Sequence, residues 1–256
     1  MNRDQKLALL VQSFQAKPKA PRAIVDRRFP KQRAFVEDPG RYLAALCTRR
    51  AGKSNGLGFR LYRAALKYPG SISPYIALTR SSAKNIMWPV FREINERYGL
   101  GAEMVESTLE IKLPNKSVIA LFGADMKNFI ERLRGPKYPF AAVDEAQAFR
   151  NHIHSLVDDI LTPAVSDYPD GAIALTGTPG PVAKGLFHDI TEGKSGGYSV
   201  HKWSVLDNPY LPNAREFIED LKKRKGWTED NPTYLREWRG QWVTDIDALV
   251  YKYESG

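Results

Sequence analysis

The sequence predicts an α/β fold, a mainly parallel sheet flanked by helices, with a small helical lid or linker subdomain at its C-terminal end. Three observations predict it. Short apolar runs alternate with longer amphipathic segments, the pattern of strands joined by crossover helices. Several of those runs are apolar throughout, as strands buried on both faces are. Residues 43–47, 140–143 and 172–175 each run straight into a short polar sequence: Thr48 to Ser54, Asp144-Glu145, and Thr176-Gly177-Thr178-Pro179.

At 256 residues the chain has room for one large domain, or a core with a small subdomain. Its composition, 43% hydrophobic and 26% charged, is that of an ordinary globular protein. No apolar run approaches the roughly 18 residues of a membrane helix, so no membrane partner is expected. The polar first 14 residues lack the apolar core of a secretory signal, and export is not expected. Cys47 is the single cysteine, which excludes an intramolecular disulfide and a cysteine-based zinc site. The net charge of +9 favours a polyanionic partner, nucleic acid first, because basic groups release counterions from a phosphate backbone. A solvated basic surface fits the same charge equally well.

Taken in order, residues 1–33 read as a basic, extended N-terminal arm. Lys17, Lys19, Arg22, Arg27, Arg28, Lys31 and Arg33 face a single acid, Asp26, and Pro18, Pro21 and Pro30 interrupt any helix. The core spans residues 34–205. A strand over 43–47 leads through a turn at 48–52 into a helix over 53–67, closed by Pro69 and Gly70. A strand over 75–79 and a helix over 82–98, kinked by Pro89, follow. Strands over 109–113 and 118–122 flank Pro114-Asn115-Lys116 as an edge hairpin. Then come a buried strand over 140–143, a helix over 153–165 and a strand over 172–175. Residues 206–256 differ in tone, with charged, aromatic-rich helices over 213–225 and 233–242. No internal repeat or low-complexity segment is present.

The sequence Thr48-Arg49-Arg50-Ala51-Gly52-Lys53-Ser54, set between strand and helix, carries the clearest chemistry. The N-terminus of the helix offers free N–H groups to phosphate, the Lys53 ammonium reaches outer phosphates, and the Ser54 hydroxyl can ligate Mg²⁺. This is a P-loop with Cys47 where the usual pattern has its first glycine. The acids Asp144 and Glu145 supply the second element. Strand periodicity sends neighbouring side chains to opposite sides, so they are expected to divide the work. Asp144 would hold Mg²⁺ through its water shell, and Glu145 would orient and deprotonate the attacking water. Thr176, Gly177 and Thr178 form the third element, also at the carboxyl end of a strand, where open α/β sheets bind ligands. ATP and Mg²⁺ are therefore the expected cofactors.

These residues resemble those of the ATPase domain of the large terminase subunits of tailed bacteriophages. The resemblance covers about residues 28–250 and rests on Arg49-Arg50-Ala51-Gly52-Lys53-Ser54, Asp144-Glu145-Ala146 and Thr176-Gly177-Thr178-Pro179. Those proteins tolerate a missing first P-loop glycine. The resemblance implies a RecA/ASCE-like P-loop core that binds ATP through Arg50, Ala51, Gly52, Lys53, Ser54 and Thr176 to Thr178. It implies adenine contact by Gln32, within Phe29-Pro30-Lys31-Gln32. It matches Arg49 to a P-loop arginine that stabilises charge on the transferring phosphate, and Arg134-Gly135 to a position implicated in a finger reaching a neighbouring subunit. Sequence does not choose among Arg49, Arg50, Arg132 and Arg134 for these tasks.

As function, the resemblance implies an ATP-hydrolysing motor that moves double-stranded DNA into a procapsid. Its partners would be the portal protein, a small terminase subunit and further copies in a pentameric ring. It would work in the host cell cytoplasm, at the portal vertex. Large terminases usually continue into an RNase H-like nuclease domain; Asp245, Asp247 and Glu254 make no such site, and no cleavage is expected of this chain. Two rivals stand beside this reading: a helicase-type ATPase, and a nucleic-acid-binding module whose P-loop, with Cys47, is inactive. His152 and His154 lack the spacing for a shared metal on a helix. His188 and His201 are isolated, Lys222 to Lys225 read as a solvated helix end, and Trp227, Trp238 and Trp242 as subdomain packing beside Arg236 and Arg239.

Overall fold

A computed structural model describes residues 28–124, 130–149 and 152–244. Lys17, Lys19, Arg22 and Arg27 of the arm, and Asp245, Asp247 and Glu254, lie outside the described residues. The eight-stranded sheet grows from its apolar runs. Strand β1, Tyr42–Cys47, is buried at every residue but its first. It is flanked by β7, Ala172–Gly177, and β8, Ser199–Trp203. The order across the sheet is β3-β4-β5-β2-β6-β7-β1-β8, with β2 at Ile72–Ala77, β3 at Glu103–Val105, β4 at Glu110–Lys112, β5 at Val118–Gly123 and β6 at Phe140–Val143. From β5 to β8 every pairing is parallel; β3 and β4 add an antiparallel edge.

Helices α1 (Pro30–Glu37), α2 (Lys53–Lys67) and α3 (Arg80–Tyr98) cover one face. Beneath them lie Phe35, Leu57, Leu61, Tyr75, Met87 and Phe91. The other face is covered by a π-helical segment, Ser155–Leu161, continuing into α4, Thr162–Ser166, and by α5, Leu186–Thr191. Its core holds Ile76, Val143, Leu156, Leu161, Leu175 and Phe187. Neighbours Tyr75 and Ile76 thus point into different cores, as the pleat requires. After β8, helices α6 (Ala214–Lys225) and α7 (Pro232–Arg239) close a small separate cluster of Val205, Ile218 and Tyr234, with Trp227, Leu235 and Trp238 packed on it. Among the described residues no helix is long and apolar enough to cross a membrane.

Several local expectations are corrected. Pro30 does not interrupt a helix; it opens α1 at the first helical position, where its missing N–H costs nothing. The second strand lies over Ile72–Ala77, not 75–79, because Thr79 caps α3, accepting from the Ser82 N–H at 3.0 Å. Strand β7 runs on to Gly177, so Thr176 and Gly177 belong to the sheet. The helix expected over 153–165 is wound as a π-helix through Leu161. Helix α7 stops at Arg239 on left-handed Gly240, and Trp242 packs instead on Phe187 and His188.

Arg60 ties α1 to α2. Only 9% exposed, its guanidinium donates to the carbonyls of Phe35 (2.5 Å), Val36 (3.3 Å) and Asp38 (3.1 Å), where α1 ends. It also lies over the rings of Phe35 and Phe140. Burial pulls its pKa down to about 10, leaving it charged at neutral pH. Arg60→Leu should orphan those carbonyls and cost about 2–3 kcal/mol of stability, read as a lower urea midpoint. A variant as stable as the wild type would show that the guanidinium anchors nothing.

Candidate functional site

The loop from Thr48 to Gly52 is held by side chains from outside it. Asn208 Nδ2 donates to the Arg50 carbonyl at 3.0 Å, the Trp203 indole to Ala51 at 2.8 Å, and the Gln32 amide to Gly52 at 2.8 Å. A trans peptide sets each C=O opposite the next residue's N–H. Pinning these three carbonyls therefore turns the N–H groups of Ala51, Gly52 and Lys53 the other way. Arg50 (φ +59°) and Gly52 (φ +80°) are left-handed, the alternation that gathers N–H groups into an anion-binding nest. Cys47 needs no such freedom: it is a β1 residue in register with Trp203 of β8. Its thiol is wholly buried, and burial pushes its pKa well up.

Lys53 opens α2 beneath this nest and is only 7% exposed. Its ammonium is 3.0 Å from Asp144 Oδ1 and in direct contact with Glu145 Oε1. Burial opposes the charge, but the two carboxylates outweigh it and raise the pKa. The expectation that the two acids face opposite sides is overturned. Strand β6 ends at Val143, and Glu145 takes a left-handed backbone (φ +53°) that swings its carboxylate back beside Asp144. Such a conformation in a non-glycine residue costs on the order of 1 kcal/mol or more and persists where surroundings enforce it.

Asp144 is fully buried and saturated with donors. Oδ1 accepts from Thr176 Oγ1 at 2.7 Å and the Glu145 N–H at 2.9 Å besides Lys53, and Oδ2 accepts from Tyr75 at 2.7 Å. Burial works against its ionisation; Lys53, Thr176 and Tyr75 together prevail and hold the carboxyl below its usual range.

A cleft of about 2540 Å³ opens over these groups, larger than the roughly 300–1,000 Å³ of a typical ligand pocket. Arg49, Arg50, Ala51, Gly52, Lys53, Ser54, Glu145 and Thr178 line it, facing Asn208, Tyr210, Phe217 and Trp238 of the C-terminal segment. Gln32 stands behind the loop, 3% exposed, with its amide spent on Gly52. Asp144, Thr176 and Gly177 lie beneath the cleft floor. Arg49 is tethered to α7: its guanidinium pairs with the Glu237 carboxylate and its N–H donates to the Glu237 carbonyl at 3.1 Å. Arg134 is not brought to the cleft. It is exposed, bonded to Glu131 at 2.8 Å and to the Asp159 carbonyl at 3.2 Å.

Tyr75, Gln147, Trp203, Asn208 and Glu237 shape the site without having been singled out in the sequence. Tyr75 sits in an apolar run where any aromatic reads as core. Trp203, Asn208 and Glu237 lie far along the chain from the groups they hold, and no spacing signals them. Gln147 alone is local, two residues beyond Glu145, to which its amide donates at 2.5 Å.

No protein-family model and no curated protein sequence matches the chain. Its fold matches solved large-terminase ATPase domains. The ATPase domain of the Thermus phage P74-26 large terminase aligns with a TM-score of 0.65 at 19% identity, over 86% of this chain and 96% of that one. The large terminase of a thermophilic bacteriophage, solved in complex with ADP, aligns with a TM-score of 0.66 at 16% identity, over 84% of this chain and 54% of that one. The large terminase of bacteriophage HK97 aligns with a TM-score of 0.65 at 16% identity, over 94% of this chain and 56% of that one. The chain thus spans about half the length of the latter two proteins. The likeness establishes the fold, a mostly parallel sheet flanked by helices as in those large terminases.

The Asp144 cluster makes acid stability testable. Because its folded-state pKa is depressed, Asp144 contributes stability that is present above its unfolded value, about 3.9. That stability is lost as pH falls through the lower folded value. Thr176→Val removes one donor to the carboxylate and should cost about 1.5–3 kcal/mol near neutral pH. The deficit should shrink steadily below pH 4, as both proteins protonate, in urea titrations run from pH 3 to 7. A deficit independent of pH would assign the Thr176 hydroxyl to packing alone.

Proposed function

We propose that this chain is the ATPase domain of a viral large terminase, hydrolysing ATP to drive double-stranded DNA into a procapsid. One observation carries the proposal: a buried lysine paired with two adjacent acids, under a loop whose carbonyls are pinned outward, at the carboxyl ends of parallel strands. That arrangement suits a polyanion attacked by water. The thermophilic phage's terminase, of the same fold, was solved with ADP, which supports a nucleotide as the occupant.

The nest N–H groups and Lys53 bind the β- and γ-phosphates. Phosphate oxygens compete with Glu145 for the Lys53 ammonium, which frees the Glu145 carboxylate to take the proton from the attacking water. Arg49, at the rim, offsets charge developing on the transferred phosphoryl group once drawn from Glu237. The residues fit Mg²⁺. Ser54 faces the cleft, while Asp144 is too buried and too fully bonded to reach a metal except through water. Among the described residues no group of three His, Cys, Asp or Glu side chains could hold a metal unaided. Ser54, and Asp144 through water, would hold the ion, which would supply positive charge to offset that of the phosphate oxygens.

Thr178, which lines the cleft, responds to a γ-phosphate together with Thr176 and Gly177. Gln32 acts on the nucleotide through Gly52 rather than as a cleft wall. Arg134, on the outer surface, suits a role toward another subunit. The whole machine would be a pentameric ring on the portal protein, supplied with DNA by a small terminase subunit in the host cytoplasm.

Lys53→Ala should lose ATP binding and turnover together, and Glu145→Gln should bind ATP yet turn over at least about a hundredfold more slowly. Steady-state hydrolysis with Mg²⁺ and duplex DNA, beside equilibrium ATP binding, reads both. Normal turnover by Glu145→Gln would sink the assignment.

A further inference from the structure

Gln147 lies in a 3₁₀ turn, Ala146–Ala148, that follows Glu145. Its Nε2 donates to Glu145 Oε2 at 2.5 Å, the oxygen that Lys53 does not hold. A carboxylate only accepts, so the amide nitrogen must face it and the amide oxygen must point away. That oxygen is buried and meets no donor. An orphaned buried carbonyl is a cost that native structures rarely carry, so stability does not account for a glutamine here.

The orphaned oxygen instead lies against the end of β7. A Cβ built on Gly177 would stand 2.1 Å from Gln147 Oε1 and 2.9 Å from the Phe187 ring, so glycine is required at that position for Gln147 to keep its place. The same side chain rests on Gly180, where a Cβ would meet its Cγ at 3.4 Å and the Trp242 ring at 3.9 Å. Gln147 therefore spans from the Glu145 carboxylate to both ends of the segment Gly177 to Gly180.

We infer that Gln147 is a positioning residue for the hydrolytic step: it holds the Glu145 carboxylate toward the attacking water, and contact with Gly177 and Gly180 sets where it holds it. The inference rests on the ATPase reading above. It gives the Thr176 to Pro179 segment a physical route to the reacting water. A shift of that segment moves the Gln147 side chain, and the side chain carries Glu145 with it.

The test is steady-state ATP hydrolysis, with thermal unfolding alongside, by the full chain and by Gln147→Leu, Gln147→Ala, Gly177→Ala and the Gln147→Ala/Gly177→Ala double variant, with Glu145→Gln as reference. Gln147→Leu keeps the volume and removes both the donor and the orphaned oxygen. It should lower kcat roughly ten- to a hundredfold, change KM for ATP less than about twofold, and unfold no earlier than the wild type. Gly177→Ala should lower kcat by displacing Gln147, and the double variant should fall no further than Gln147→Ala. Wild-type kcat in Gln147→Leu, or a fall in unfolding temperature that accounts for the lost activity, overturns the inference. So does a double variant whose losses multiply. If Glu145→Gln is inactive while Gln147→Leu is normal, this inference alone fails; if Glu145→Gln is active, or the wild type hydrolyses no ATP, the ATPase reading falls and takes this one with it.

Discussion

The buried ion pair of Lys53 and Asp144, joined at the cleft by Glu145, is the constraint on which the rest of the structure turns. Removing an ammonium and a carboxylate from water costs several kcal/mol per ion, repaid only when the charges pair and their remaining hydrogen-bonding capacity is met. Here it is met by Tyr75 from β2, Thr176 from β7 and the backbone at the end of β6. Four elements must therefore end side by side. The parallel order β2-β6-β7-β1 delivers them, with Thr176 in register with Ala45 of β1 and Val143 with Leu175 of β7. Breaking one partner would leave an uncompensated charge in a dry interior, so sheet register and site chemistry are enforced by the same interaction.

How far this was legible in the sequence depended on where each signal resides. Strand β6 and helix α2 were readable to the residue, because a buried apolar run and a Gly-Lys-Ser helix start are local signals. Strand β8 was not: Ser199–Trp203 lies at the sheet edge, only partly buried, and lacks the continuous apolar run that marks the interior strands. Pro30 was misread because a proline that opens a helix and one that prevents a helix look alike without the cap. The pairing of Asp144 with Glu145 was misjudged for a different reason. Period-two alternation holds only while the chain is a strand, and the left-handed residue, Glu145, stands two residues past its end.

The absent P-loop glycine shows the same division between local and distant information. A glycine is needed where φ is positive or a backbone approaches closely, and Cys47 meets neither condition because β1 extends through it. The left-handed positions fall at Arg50 and Gly52. Arg50 has no glycine's freedom, so its conformation must be enforced, and Asn208 bonded to its carbonyl supplies that restraint. The sequence could register the missing glycine. It could not register that Trp203, Asn208 and Gln32, drawn from both sides of the loop in the chain, do the work of holding it.

That mode of support also joins the loop to the C-terminal segment. In a self-sufficient P-loop the backbone would keep its shape whatever the neighbouring helices did. Here Arg49 is bonded through both main chain and side chain to Glu237 of α7, and Asn208 precedes α6. The loop and those helices consequently share contacts that neither can change alone. Linkage is reciprocal: an anion that prefers the nest with one placement of α7 must, by the same free energy, bias α7 toward that placement. An occupant of the loop that favoured one placement of α7 would thus bias α7 through a handful of hydrogen bonds. The cost is a loop whose binding strength depends on groups more than 150 residues away in sequence.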